Sequence, residues 1–169
     1  MKKNGTNKIK KQIESATGLK WYSSEEVFYS HRGRHATKMW LKTGVKKDGS
    51  ITAIHYKAWL DGGAYGSYGI VTSYYTGQFL TMPYNVPRLK FESTRLYTNK
   101  PPAGPKRGHG AVQPRFAFEV QLDRIAEHLG IDSSRIRLNN LVGPNSMTVN
   151  SLRITSCGIK ECIEKVIEA

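Results

Sequence analysis

A chain of 169 residues is long enough to bury one sizeable core. Its hydrophobic content of 38% is modest for a globular domain, yet it excludes a disordered one. Lys+Arg number 26 against 13 Asp+Glu, and the net charge of +13 attracts polyanions in general: nucleic acid, acidic lipid, a phosphorylated ligand or an acidic protein surface.

The charge begins at once, in Met1 to Lys11, which resembles a solvated tail. That opening lacks the apolar run of a signal peptide, and no later run is long enough to span a membrane. Cys157 and Cys162 lie five apart, which is neither a zinc spacing nor a disulfide framework. A reduced, cytoplasmic chain with no membrane segment is expected, the two cysteines being small buried hydrophobes on one helix.

Residues Lys8 to Ala16 predict one short helix ended by Gly18. The basic segment 1–18 is expected to be partly disordered, with 19–169 forming the domain. Leu19 to Tyr22 reads as a short strand. Ser23 and Glu26 form a capping box for a helical turn, with Val27, Phe28 and Tyr29 supplying its apolar contacts. His31-Arg32-Gly33-Arg34-His35 is a basic knot, either a phosphate site or a solvated face.

Ala36–Val45 is extended, and Ile51–Leu60 alternates. Ile51, Ala53, His55, Lys57 and Trp59 fall on one face; Ile54, Tyr56, Ala58 and Leu60 fall on the other. Asp48-Gly49 between the two runs predicts an antiparallel hairpin. Asp61 to Gly69 interleaves four glycines with two tyrosines, suiting a close-packed turn or a ligand wall. Ile70 to Met82 is helix-like, Met82 to Pro87 is a turn, and Arg88 to Thr98 alternates as a third strand.

Asn99 to Gln113 carries three prolines and three glycines, so it is neither helix nor strand. Arg107 and His109 stand between its glycines. It feeds a helix predicted over Pro114–Leu129, whose free N–H groups favour an anion; the plain alternative is a basic connector. Phe118, Leu122, Ile125 and Leu129 form that helix's apolar stripe. Asp132 caps a second helix over Ser133–Leu141, with Asn139 and Asn140 favouring its end, and Gly143-Pro144-Asn145 turns the chain. Ile159, Cys162, Ile163, Val166 and Ile167 mark a last amphipathic helix, cut off in mid-pattern as in a fragment.

Four segments together resemble the molybdenum-cofactor-binding subunit of the xanthine dehydrogenase and aldehyde oxidase family. They are Glu25 to Phe28 with His31 to Arg34, then Lys47-Asp48-Gly49, then Gly62 to Gly69, then Thr98 to Pro102 through Arg107-Gly108-His109-Gly110. Phe116 to Glu119 and Asn140-Leu141 also fit. The branch most resembled is the large subunit of 4-hydroxybenzoyl-CoA reductase. The resemblance implies an α+β fragment of the molybdopterin-binding domain, with a mixed or antiparallel sheet and helices packed on it.

It further implies an oxidoreductase working on an aromatic, heterocyclic or aldehyde substrate. The chemistry is two-electron hydroxylation or reductive dehydroxylation at a molybdenum–pyranopterin cofactor. The [2Fe–2S] clusters and FAD sit on partner domains or subunits. The family's arginine loop aligns on Arg107 and Gly108, next to the cofactor. The substrate positions align on His109 and Tyr75, where xanthine-type enzymes hold an aromatic residue and an arginine. Gly108 stands where carbon monoxide dehydrogenases of the family have a cysteine, which argues against that branch.

The glycine-rich pterin loop and the later segments are missing, the catalytic glutamate being expected beyond Ala169. No catalytic or metal-ligating residue is therefore assigned. The chain is expected to be an excised piece, a split subunit needing the remaining segments, or a remnant, and inactive alone. The alternatives are a basic nucleic-acid-binding module, the less favoured reading, and a structural half that only pairs with another subunit.

Overall fold

The computed structural model describes residues 3–18, 24–30 and 32–169. These fall into two compact units, 1–31 and 32–169. The strand expected over Leu19 to Tyr22 and the Ser23 cap lie outside the described residues.

The first unit holds two helices, α1 (Lys3–Thr17) and α2 (Ser24–Ser30). Helix α1 starts five residues ahead of Lys8. Gly18 ends it with φ +66°, its N–H bonded to Glu14 O at 2.9 Å. Glu25 and Glu26 occupy the first turn of α2, where carboxylates oppose the helix dipole. Lys10 Nζ meets Glu26 at 3.0 Å. Val27, Phe28 and Tyr29 are 40%, 79% and 78% exposed, so the apolar contacts expected of them are not made.

The second unit is built on a three-stranded sheet, β1 (Thr37–Val45), β2 (Ile51–Asp61) and β3 (Leu89–Leu96), in the order β1-β2-β3. Strands β1 and β2 pair antiparallel across the Asp48-Gly49 turn, and β3 runs parallel to β2. Gly49 takes φ +84°, a left-handed turn conformation open to glycine. The parallel pairing needs a crossover. Helix α3 (Gly69–Gln78) supplies it, ending four residues before the expected Met82. Ile54, Tyr56, Ala58 and Leu60 point into the core as the alternation predicts. Ile51 joins them at 4% exposure, against expectation, because the register slips between Gly44 and Val45.

Helix α4 (Val112–Leu129) covers the same face of the sheet. It begins two residues before Pro114, which its first turn tolerates because those N–H groups have no intrahelical acceptor. Its buried stripe is Pro114, Phe118, Leu122 and Ala126. Ile125 and Leu129, expected inward, are half-buried. A strict four-residue step drifts from the expected stripe and brings Ala126 under the core instead.

Asp132 caps α5 (Ser133–Asn140) by accepting from the N–H groups of Ser134 and Arg135. Asn140 does more than end that helix. Its Nδ2 donates to Gly49 O and its Oδ1 accepts from Ile51 N–H, both within 2.9 Å, fastening the hairpin to α5. A small hairpin, β4 (Ser146–Met147) with β5 (Arg153–Ile154), follows the Pro144-Asn145 turn. The last helix is α6 (Ile159–Glu168), with Val166 and Ile167 exposed. Cys157 lies ahead of α6, half-buried, and Cys162 is exposed on it, so the pair is not a buried one on a single helix. Among the described residues no helix is long and apolar enough to cross a membrane.

Candidate functional site

The glycine-rich stretch after β2 is moulded around Arg95 of β3. A Cβ on Gly62 or Gly69 would fall 2.4 Å and 1.9 Å from the Arg95 guanidinium group. Arg95 Nη2 donates to Gly62 O and Tyr65 O, and its Nε donates to His35 Nε2 at 3.3 Å. Of the two readings of this stretch, the close-packed turn describes Gly62 and Gly69, because an internal side chain fills the space they leave.

The basic knot turns out to be a clamp on the Pro- and Gly-rich loop. Gly33 N–H donates to Pro102 O, and Gly104 N–H donates to Gly33 O. Arg34 Nη2 donates to Arg107 O at 2.7 Å. Gln113 Nε2 donates to His35 O at 3.2 Å. The segment Gly33 to His35 thus holds the loop at its start, at Arg107 and where it enters α4. His35, 2% exposed, is not part of a solvated face. Its pKa is lowered by burial and by the neighbouring Arg95 charge.

Arg107 lies on the exposed tip of the loop, just ahead of α4. Gly108 and Gly110 take φ +78° and +73°. A Cβ on Gly110 would meet Tyr75 Cβ at 2.7 Å and Thr72 O at 2.9 Å, so only glycine lets the loop lie against α3. Between these glycines His109 turns inward. Its Nε2 is 2.5 Å from Thr72 Oγ1, and its ring meets the Tyr75 ring edge-on, centroids 5.5 Å apart. Burial lowers the His109 pKa.

Tyr75 and His109, thirty-four positions apart, are therefore brought together, while the Arg107 side chain is exposed at the tip with its backbone held by Arg34. Thr72, Arg95 and Gln113 were not singled out by the sequence, and His35 stood out only as one end of the basic knot. The capacity of Thr and Gln to bond at a loop root is common to many positions, so only the fold identifies them.

The N-terminus of α4 has no side-chain cap. Beside it, His35 Nδ1 and Gln113 Oε1 are buried without a partner among the described residues. Because His35 Nε2 accepts from Arg95, Nδ1 carries the proton, leaving one orphan donor and one orphan acceptor on adjoining residues. Such a pair suits a heterocycle that presents both an acceptor and a donor.

The family model of the molybdopterin cofactor-binding domain matches residues 19–141. The chain belongs to that family, the molybdopterin-binding domain of xanthine dehydrogenases and aldehyde oxidases. It is 37% identical over 144 residues to the xanthine dehydrogenase molybdenum-binding subunit of Escherichia coli O157:H7, over 85% of this chain and 19% of that protein. It is 35% identical over 148 residues to the nicotinate dehydrogenase large molybdopterin subunit of Eubacterium barkeri, over 86% of this chain and 35% of that one. The aldehyde oxidoreductase from Desulfovibrio gigas matches it with a TM-score of 0.76 at 27% identity, over 80% of this chain and 15% of that chain. The chain thus spans 19% to 35% of the length of these two curated relatives.

Proposed function

We propose that this chain forms the part of a molybdenum-dependent oxidoreductase subunit at which cofactor and substrate meet. Arg107 and Gly108 face the molybdenum–pyranopterin cofactor, and Tyr75 and His109 face the substrate. The observation that carries this reading is the seating of His109 on Thr72 and Tyr75, directly beside the positive-φ glycines that follow Arg107. When bound, the cofactor supplies two-electron redox chemistry.

The chain's own residues supply the rest. The Arg107 guanidinium and the uncapped N–H groups of α4 attract anionic groups of cofactor or substrate. The buried His35 Nδ1–H and Gln113 Oε1 suit a donor–acceptor edge of the pterin. Burial keeps His109 neutral near pH 7. Its Nε2 is held by Thr72, which leaves Nδ1 to give or take a proton. Tyr75 and His109 present ring faces and edges to a flat substrate.

The substrate is an aromatic or heterocyclic ring, or an aldehyde. Tyr75, standing where xanthine-type enzymes have an arginine, supports the hydroxybenzoyl-CoA reductase branch and reductive dehydroxylation. The partners are the remaining segments of the molybdenum subunit, together with domains or subunits carrying [2Fe–2S] clusters and FAD, in the cytoplasm.

The test uses the subunit completed with its remaining segments. Arg107→Ala is expected to lower turnover at least ~100-fold, the scale of losing one oxyanion donor. Turnover and molybdenum content both unchanged would remove Arg107 from the site.

A further inference from the structure

The sheet buries one face under α3 and α4, and its other face carries a lattice of cations and rings. In register across β1 and β2, Lys38 faces Trp59, Trp40 faces Lys57, and Lys42 faces His55. Strand β3 extends the rows with Thr94, Glu92 and Lys90. Trp40 and Trp59 are 43% and 36% exposed, large for tryptophan on a sheet. Glu92 is the acid of this lattice, and it is engaged by Lys57 at 3.0 Å and Lys90 at 2.9 Å. Among the described residues, no carboxylate pairs with Lys38, Lys42 or Arg88.

The two ends of this face differ. At the β3–β2 start lies an open groove of about 410 Å³ where Lys42, His55, Arg88 and Lys90 ring an apolar floor that includes Ile54 and Leu89, with no carboxylate in the lining. At the other end lies a groove of about 560 Å³ lined by Trp59, Leu60, Leu96 and Ala36, with Lys38, Thr37 and Thr98 beside them. Asp61 sits at its rim, already bonded to Lys100 and Thr98. From His55 to Trp59 is four residues of strand, about 13 Å.

We propose that this face docks an extended acidic polypeptide segment, its carboxylates at Lys42, Arg88 and Lys90 and an apolar side chain against Trp59 and Leu96. Charge complementarity selects an acidic partner, and the unequal ends select a polypeptide. A single-stranded nucleic acid would place a phosphate at every nucleotide and stack bases on open rings. Here the larger groove holds Trp59, Leu60 and Leu96 with one Lys or Arg, Lys38, against three at the other end, the Trp40 ring has Lys57 Nζ 5.7 Å above it, and that ring packs edge-to-face with His55 at 5.0 Å between centroids. A polypeptide offers side chains of both kinds at the required spacing, since residues four apart in an extended segment lie about 13 Å from each other.

The experiment is fluorescence anisotropy with the whole 169-residue chain. The probes are three fluorescein-labelled molecules: a Ser/Thr peptide carrying one Leu and, four positions on, a Glu-Glu pair; the same composition with the acids next to the Leu; and oligothymidylate. The spaced peptide is expected to bind at least ~10-fold more tightly than the scrambled one, a difference of about 1.4 kcal/mol. The double variant Lys42→Ala/Arg88→Ala should lose that margin. Lys160→Ala/Lys165→Ala removes the same charge from α6 and should leave binding unchanged. Equal binding of the two peptides, or equal weakening by the two double variants, would reduce the effect to the chain's overall charge and overturn the proposal. So would tighter binding of oligothymidylate that is lost in the sheet variant, which would make the face a nucleic-acid surface.

Discussion

Asp61 collects three donors where β2 leaves the sheet. Lys100 Nζ and Thr98 Oγ1 each approach its carboxylate to 2.6 Å, and Gly63 N–H donates at 3.1 Å. These bonds pull its pKa down to about 2, the Lys100 bond contributing most. In the unfolded chain an aspartate titrates near ~3.9. The depressed value means that Asp61 adds stability in full above about pH 4, and that this contribution drains away as pH falls toward about 2. Urea unfolding of the wild type should therefore show lower stability at the acid end of that window. Asp61→Asn should lose less over the same interval. Glu92, also held at about 2 by Lys90 and Lys57, keeps part of the slope in the variant. Identical slopes in both proteins would show that Asp61 does not contribute.

Among the elements, Leu122 tests the α4 assignment. It is fully buried with Phe118, against a core that includes Tyr84 and Tyr56. Leu122→Ala should cost about 2–5 kcal/mol, and a loss below about half of one would mean that α4 does not pack on this core. The hairpin was legible because alternation and an Asp-Gly turn act within twenty-odd residues. The direction of β3 was not, since Leu89, Phe91 and Ser93 alternate identically beside either a parallel or an antiparallel neighbour. The pairing of Ile51 turned on a slip in register that no local pattern announces. At the site, the Arg107–Gly110 loop was visible through its glycines and prolines. The role of Gly33 to His35 was hidden, because basic residues beside a glycine look alike whether they wait for an anion or grip a loop seventy residues away. The glycines at 62 and 69 were equally ambiguous until Arg95 filled the space between them.

At the scale of the molecule, two features stand out. It spans 19% of one curated relative and 35% of another. Its net charge of +13 includes a lattice of lysines on an open sheet face. In the proposed site the Arg107 tip faces outward, its backbone held by Arg34, while His109 turns back against Thr72 and Tyr75 of α3. The most direct measurement is the structure of the completed subunit with its cofactor bound. The expected result is that the backbone of Arg107 and Gly108 touches the cofactor, with His109 and Tyr75 flanking the substrate space beside it. A cofactor seated elsewhere, with the Arg107–Gly110 loop against solvent, would contradict the assignment of this loop as the site.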